Sequence, residues 1–140
     1  MKTILALFFA SLLISSSCNK DSEGDCPADI MCTQDFRSVH VQLMNGSGPY
    51  QLDSYITKRH SDSMVIDLHS TLSAYEDSLY RANGSYPILT DGQMQLTSRQ
   101  GTGFTFIGYV NNHEVIRENY VIGHDCCHIS RISGRGSIGL

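Results

Sequence analysis

Hydrophobic and polar positions divide the chain into an apolar leader and a longer part with short alternating patterns. Residues 4–14 form an almost wholly apolar run, which follows Lys2 and precedes the serines 15–17 and Cys18. A positive start, an apolar stretch and a small-residue cleavage site are typical of an export signal. The run is too short to span a bilayer, which takes about 20 apolar residues. We therefore predict that residues 1–17 are a signal peptide.

The first half of the remaining chain alternates with period two. Residues 36–44 place apolar side chains on one side and polar side chains on the other, which predicts a half-buried strand. Asn45-Gly46 is a strong turn signal. Residues 50–59 predict the return strand, and residues 64–68 predict a short third strand. These patterns together predict a meander of three consecutive strands.

A helical pattern interrupts the strands between residues 70 and 83. Leu72, Tyr75 and Leu79 lie at positions i, i+3 and i+7, which is helical spacing. Ser70 or Thr71 is the expected cap at the start, and Asn83-Gly84 is the expected end.

Strand patterns return after this helical insert. Asp91-Gly92 predicts a hairpin turn between strands at residues 86–89 and 94–97. Residues 104–110 and 113–122 predict the strongest pair of strands, with a turn at Asn111-Asn112. A last strand is expected from about residue 126.

Seven or eight short strands at close spacing predict a mainly all-β fold. We expect a single β-sandwich of about seven strands with one short helical insert, and a small barrel is the alternative. Residues 133–140 are rich in glycine and are expected to fray or to form a ragged edge strand.

The leader and Cys18 resemble the signal peptide of bacterial lipoproteins. This resemblance implies that Cys18 becomes the lipidated first residue of the mature protein. The Lys-plus-acid stretch after Cys18 is similar to the tether of lipoproteins that some Gram-negative bacteria send to the outer face of the outer membrane. We accordingly expect a lipid-anchored tether at residues 18–30 and the sandwich at residues 31–140. Ser15 and Ser17 also fit an ordinary signal peptidase site, which would give a secreted protein instead.

The closing part of the chain resembles a second family. Residues 104–109 and 120–128, together with 41–48, are similar to prealbumin-like or carboxypeptidase-regulatory-like domains of exported bacterial proteins. That resemblance implies a binding or accessory β-domain rather than a catalyst, and it assigns no functional residue to this chain.

Charge narrows the possible partners. Removal of residues 1–17 takes away one lysine, which leaves 9 basic and 14 acidic residues and a formal charge of −5. Nucleic-acid binding needs a basic face, so we expect no nucleic-acid partner. No polybasic patch for anionic lipid is evident, so contact with the membrane is expected through the lipid on Cys18.

Four cysteines remain if Cys18 is lipidated, and export places them where disulfides persist. They are Cys26, Cys32, Cys126 and Cys127. Four cysteines allow three pairings. A bond between the neighbours Cys126 and Cys127 requires a strained ring. We therefore expect Cys26 and Cys32 to bond one each to Cys126 and Cys127, in either combination.

The segment around these two neighbours is the densest cluster of reactive side chains. Thiolate and imidazole groups are natural ligands of zinc or copper, so His124, Cys126, Cys127 and His128 form an alternative metal site. In a strand, His124, Cys126 and His128 would share one face. The spacing matches no common structural zinc pattern, and the thiols would have to be reduced. We therefore expect disulfides here, without a metal or other cofactor.

The sequence contains no strong catalytic motif. It lacks a Gly-x-Ser-x-Gly nucleophile elbow and a glycine-rich phosphate loop. A reactive Cys–His pair is the remaining route to an enzyme.

Tyr75, Tyr80 and Tyr86 surround the helical insert and suit either a sugar or protein partner or simple core packing. The expected function is therefore binding or accessory work at the cell envelope, without enzymatic activity. The expected partner is an envelope protein or a glycan.

Overall fold

The structure is a computed structural model that describes residues 26–140. The predicted signal peptide and Cys18 lie outside the described residues. Nine strands, one α-helix and two 3-10 helices follow one another along the described chain. The strands are β1 Ser38–Asn45, β2 Gly48–Pro49, β3 Ser54–Arg59, β4 Val65–Ile66, β5 Ser85–Thr90, β6 Thr102–Val110, β7 His113–His124, β8 Ile129–Ser133 and β9 Ser137–Gly139. The helix α1 is Ala74–Asn83, and the 3-10 helices are His69–Thr71 and Asp91–Leu96.

Two sheets form the sandwich, as the strand pattern predicts. In the first sheet, β1 pairs antiparallel with β2 and β5 and parallel with β9. The second sheet has the order β4-β3-β6-β7-β8, and all its pairs are antiparallel. The mainly all-β fold with one helical insert is therefore confirmed.

The core lies between the inner faces of the two sheets. The apolar side chains of β1 are buried, which confirms the period-two prediction. Phe104 and Phe106 of β6 are fully buried opposite them. The hydroxyl of Thr57 on β3 donates a 2.7 Å hydrogen bond to the carbonyl of Ile88 on β5, so a polar contact also joins the sheets.

The predicted three-strand meander is wrong. The turn after β1 forms, but β2 has only two residues, and the chain then crosses to the second sheet, where β3 pairs with β6 and β4. Tyr86 holds this crossing, because its hydroxyl accepts the Leu52 N–H at 2.8 Å and donates to the Tyr50 carbonyl at 3.0 Å. Alternation reports that a strand has one buried face, but it does not report which sheet the strand joins.

The predicted hairpin around Asp91-Gly92 is also wrong. Residues 91–96 form a 3-10 helix, which begins with a reciprocal cap between Thr90 and Gln93. The prediction of a turn at Asn111-Asn112 is confirmed, since both residues have positive φ and join β6 to β7. Such φ values are the ones that a tight two-residue hairpin requires.

The predicted helix is confirmed with a shifted start. Ser73, rather than Ser70 or Thr71, caps α1 and forms a capping box with Glu76. Gly84 ends the helix in the left-handed conformation with φ 63°, as expected. Within residues 26–140, no helix combines the length and apolar character needed to cross a bilayer.

Candidate functional site

A tight turn connects β7 to β8 and builds the first part of the site. β7 ends at His124, and the Asp125 carboxylate accepts the N–H groups of Cys127 at 2.9 Å and His128 at 2.8 Å. These two hydrogen bonds hold the pKa of Asp125 below its usual value. Cys126 has a φ of 79°. The expectation that His124, Cys126 and His128 share a strand face is therefore wrong, because the chain reverses here.

The turn carries both disulfides. Cys126 is bonded to Cys26 and Cys127 to Cys32, with sequence separations of 100 and 95. The prediction that each early cysteine bonds to one of the late neighbours is confirmed, and the structure selects one of the two combinations. Since Cys26 is bonded to the sandwich, residues 26–30 of the predicted tether are already attached to it.

The two histidines of the alternative metal site face different partners. The Nδ1 atom of His124 accepts the Cys126 N–H at 3.1 Å, and a ring nitrogen of His124 lies within 4.8 Å of the sulfurs of Cys26 and Cys126. Both ring nitrogens of His128 bind other side chains. The four predicted ligands do not converge, and disulfide sulfurs are not the thiolates that zinc or copper sites use. For the same reason, a Cys–His nucleophile lacks its thiol among the described residues.

His128 instead joins three separate segments of the chain. Its Nδ1 atom lies 2.7 Å from the Asp91 carboxylate at the start of the 3-10 helix, and its Nε2 atom lies 2.9 Å from the Thr33 hydroxyl. Asp91 also accepts the backbone N–H groups of Arg37 and Ile129, each at 2.8 Å. His128 is only 6% exposed. We call His128, Asp91, Thr33 and Asp35 the histidine clasp.

The carboxylates of the histidine clasp are held in the ionised form. Burial raises the pKa of Asp91, but hydrogen bonds from His128 and from the two backbone N–H groups outweigh this and leave the pKa lowered. The Thr33 hydroxyl and the Arg37 guanidinium lower the pKa of Asp35 to about 2. The clasp therefore fastens the segment before β1 to the sandwich by polar contacts, next to the disulfides.

The order hydroxyl, imidazole, carboxylate also occurs in nucleophilic hydrolases. Here the hydroxyl of Thr33 donates to Asp35. One ring nitrogen of His128 also contacts this hydroxyl, and the other contacts the Asp91 carboxylate. These contacts fasten the segment before β1 to the turn that carries His128.

A groove of about 530 Å³ opens beside the histidine clasp, between β1 and β8. It exists because Ser38 to Val41 of β1 pair only with β5, whereas β8 pairs only with β7. The two sheet edges therefore face each other without a ladder of hydrogen bonds. The residues that line the groove are Arg37, Ser38, Val39, His40, Ile129, Ser130 and Arg131.

Two arginines are among the residues that line the groove. Arg37 bonds to Asp35 through Nε at 2.8 Å, and Arg131 reaches across the groove to the His40 carbonyl through Nη1 at 3.3 Å. The His40 ring lies between the hydroxyls of Ser38 and Ser85. Burial lowers the pKa of His40, so this ring is neutral at pH 7.

Sequence reasoning identified the cysteines but not the groove or most of the histidine clasp. In the sequence, Asp91 is typical of a turn. No pattern near Thr33 predicts its contact with His128, which lies 95 residues later. The tyrosines around the helix do not form one surface cluster. Tyr86 is buried, Tyr80 is half-buried against His40, and Tyr75 is 72% exposed.

Comparison with known proteins gives no match, whether with protein-family models, curated proteins or solved structures.

Proposed function

We propose that this protein is a lipid-anchored component of the bacterial cell envelope, whose sandwich is a binding or accessory domain without enzymatic activity. The observation that supports this most is the pair of disulfides, Cys26–Cys126 and Cys32–Cys127. Disulfides persist in oxidising compartments outside the cytoplasm. This agrees with an export leader before Cys18 and with the resemblance to lipoproteins.

The location of the disulfides suits a domain held on a short tether. Cys26 follows Cys18 by only eight residues, and it is bonded to the turn between β7 and β8. A pull on the tether would therefore act on a cross-linked part of the sandwich rather than on a terminal strand. The groove between β1 and β8 adjoins the same turn and is the candidate binding site.

Enzymatic and metal-binding alternatives receive less support from the described residues. Both use thiolates, and all four cysteines from residue 26 onward are in disulfides. The Thr33 hydroxyl in the histidine clasp donates a hydrogen bond to Asp35. A binding role needs neither thiolate nor activated hydroxyl, because an open groove with charged walls suffices.

Membrane fractionation of Cys18→Ala tests the anchor. We expect the variant to move from the membrane fraction to the soluble fraction, because the residue that carries the lipid is gone. Ser22→Ala, which leaves Cys18 in place, is the matched control and should remain with membranes. Retention of Cys18→Ala in the membrane fraction would contradict the proposal.

Counting thiols in protein purified from the envelope tests the compartment. The oxidised mature protein should show no reactive thiol, because lipid occupies Cys18 and disulfides occupy the other cysteines. Four reactive thiols would indicate a reducing compartment. They would favour the alternatives of a metal site or a Cys–His enzyme.

A further inference from the structure

We infer that the groove between β1 and β8 binds an anionic group, a carboxylate or a phosphate, between Arg37 and Arg131. This inference rests on the proposed binding function and names the chemistry of its ligand. A cleft with a few convergent polar groups is the usual form of a small-molecule site. Here the polar residues that line the groove include two arginines and two serines, and guanidinium groups suit planar or tetrahedral oxyanions.

Both guanidinium groups keep unused donors. Within residues 26–140, Arg37 uses Nε for Asp35, and Arg131 uses Nη1 for a 3.3 Å contact with the His40 carbonyl. A guanidinium has five N–H donors, so each arginine retains enough of them for a two-point contact with an oxyanion. Ser38 and Ser130 line the same groove, and the Ser38 hydroxyl also contacts the His40 ring.

The nearby carboxylates are already occupied by donors of the protein. Asp91 accepts from His128 and two backbone N–H groups, and Asp125 accepts from two N–H groups of its own turn. Asp35 accepts from Thr33 and from Arg37. These carboxylates keep their charge, but each already accepts hydrogen bonds from the protein, whereas Arg131 has no carboxylate partner in the described chain.

Arg131 is exposed, but two contacts restrict its guanidinium before any ligand arrives. Its guanidinium packs against Gly136, where a Cβ atom would lie 2.7 Å from Nη2. The Gly136 carbonyl in turn accepts the Gln42 N–H at 2.9 Å. A preplaced side chain loses less entropy on binding than a free one, so this packing favours binding.

Calorimetric titration of the oxidised mature protein at low ionic strength tests the inference. The probes are inorganic phosphate and succinate, and they distinguish the two sources of the anionic group. We expect saturable binding of at least one probe, weakened by added salt. Arg131→Gln should raise the Kd roughly tenfold, because a charge-assisted hydrogen bond is lost. Arg37→Gln should weaken binding in the same direction.

Arg117→Gln is the matched control, because it removes the same charge outside the groove. Arg117 lies on β7 and is paired with Glu114, so its removal should leave the Kd unchanged. Gly136→Ala should weaken binding without a change in net charge, because it displaces the Arg131 guanidinium.

Two outcomes would overturn the inference. One is the absence of saturable binding of either probe at millimolar concentration, and the other is an equal loss of binding in Arg117→Gln and Arg131→Gln. Neither outcome bears on the membrane fractionation of Cys18→Ala. Failure of the anion site and failure of the envelope anchor are therefore distinguishable.

Discussion

Tyr55 and Tyr86 lie in the same buried cluster, with ring centroids 5.3 Å apart, but their hydroxyls have different surroundings. The Tyr86 hydroxyl binds the backbone of Leu52 and Tyr50. The Tyr55 hydroxyl is buried without a hydrogen-bond partner in the described part of the chain. The same substitution therefore has different expected effects at the two positions.

We predict that Tyr86→Phe lowers the free energy of unfolding by about 1–3 kcal/mol, because two backbone groups at the crossing between the sheets lose their partner. Tyr55→Phe removes a polar atom that makes no hydrogen bond, so it should leave the free energy unchanged or raise it. Urea denaturation of both variants measures the difference. Equal losses in the two variants would contradict this account.

The histidine clasp gives a second prediction at a single residue. Asp91→Asn replaces a carboxylate that accepts from His128 and from two backbone N–H groups. Hydrogen bonds to charged groups contribute about 1.5–3 kcal/mol each, so we expect a loss of at least about 1.5 kcal/mol in urea denaturation. Glu114→Gln, at an exposed pair with Arg117, is the control and should change stability by less than about 0.5 kcal/mol.

The pH dependence of the same variant gives an independent measurement. The pKa of Asp91 in the folded state is lowered, so its contribution is present above the unfolded pKa of about 3.9 and is lost as the pH falls through the folded pKa. Asp35 and Asp125 change stability in the same direction. The melting temperature should therefore fall from about pH 5 towards pH 2, and less steeply in Asp91→Asn. Parallel curves for the two proteins would contradict the assigned role of Asp91.

At the scale of elements, the helix α1 depends on its caps more than on burial. None of its residues is fully buried, and its start is fixed by the capping box between Ser73 and Glu76. Spacing of apolar residues predicted this helix correctly, but several residues before it were equally plausible caps. Only the backbone conformation of Ser73, which is extended, selects it as the cap.

We predict that Ser73→Ala lowers the free energy of unfolding by about 1 kcal/mol, because the cap satisfies the Glu76 N–H at the start of the helix. Ser78→Ala is the matched control on an exposed position of the same helix, where alanine has the higher helix propensity. It should leave stability unchanged or slightly raised. If both variants lost the same free energy, the capping box would not be the cause.

At the scale of the whole molecule, the two disulfides close almost the same large loop. Their sequence separations are 100 and 95 residues, and their partners lie next to each other at Cys126 and Cys127. In the chain-entropy model, the first bridge contributes roughly 4–5 kcal/mol. The second then closes a ring of only about eight residues and adds roughly 2–3 kcal/mol. The stabilisation that one bridge contributes therefore depends on whether the other bridge is present.

We predict that removing either bridge alone costs roughly a third of the stability that is lost when both are removed. The variants are Cys26→Ala with Cys126→Ala, Cys32→Ala with Cys127→Ala, and all four combined. Denaturant unfolding of the oxidised proteins measures each loss. Strictly additive losses would show that loop closure is not the main source of stabilisation by these bridges.

The sequence by itself determined the features that depend on neighbours along the chain. Alternation predicted β1 and its buried face, the asparagine pair at 111–112 predicted a hairpin turn, and helical spacing predicted α1. The adjacency of Cys126 and Cys127 was enough to predict that each bonds to an early cysteine, because a bond between neighbours is strained.

Only the tertiary structure decided the features that depend on residues far apart. Strand patterns are the same for either sheet. The crossing after β2 and the groove between β1 and β8 therefore depend on how the whole core packs. The histidine clasp joins positions 33, 91 and 128, which have no common pattern in the sequence. Local patterns record which face of an element is buried, whereas the partner of that face is fixed only when distant segments meet.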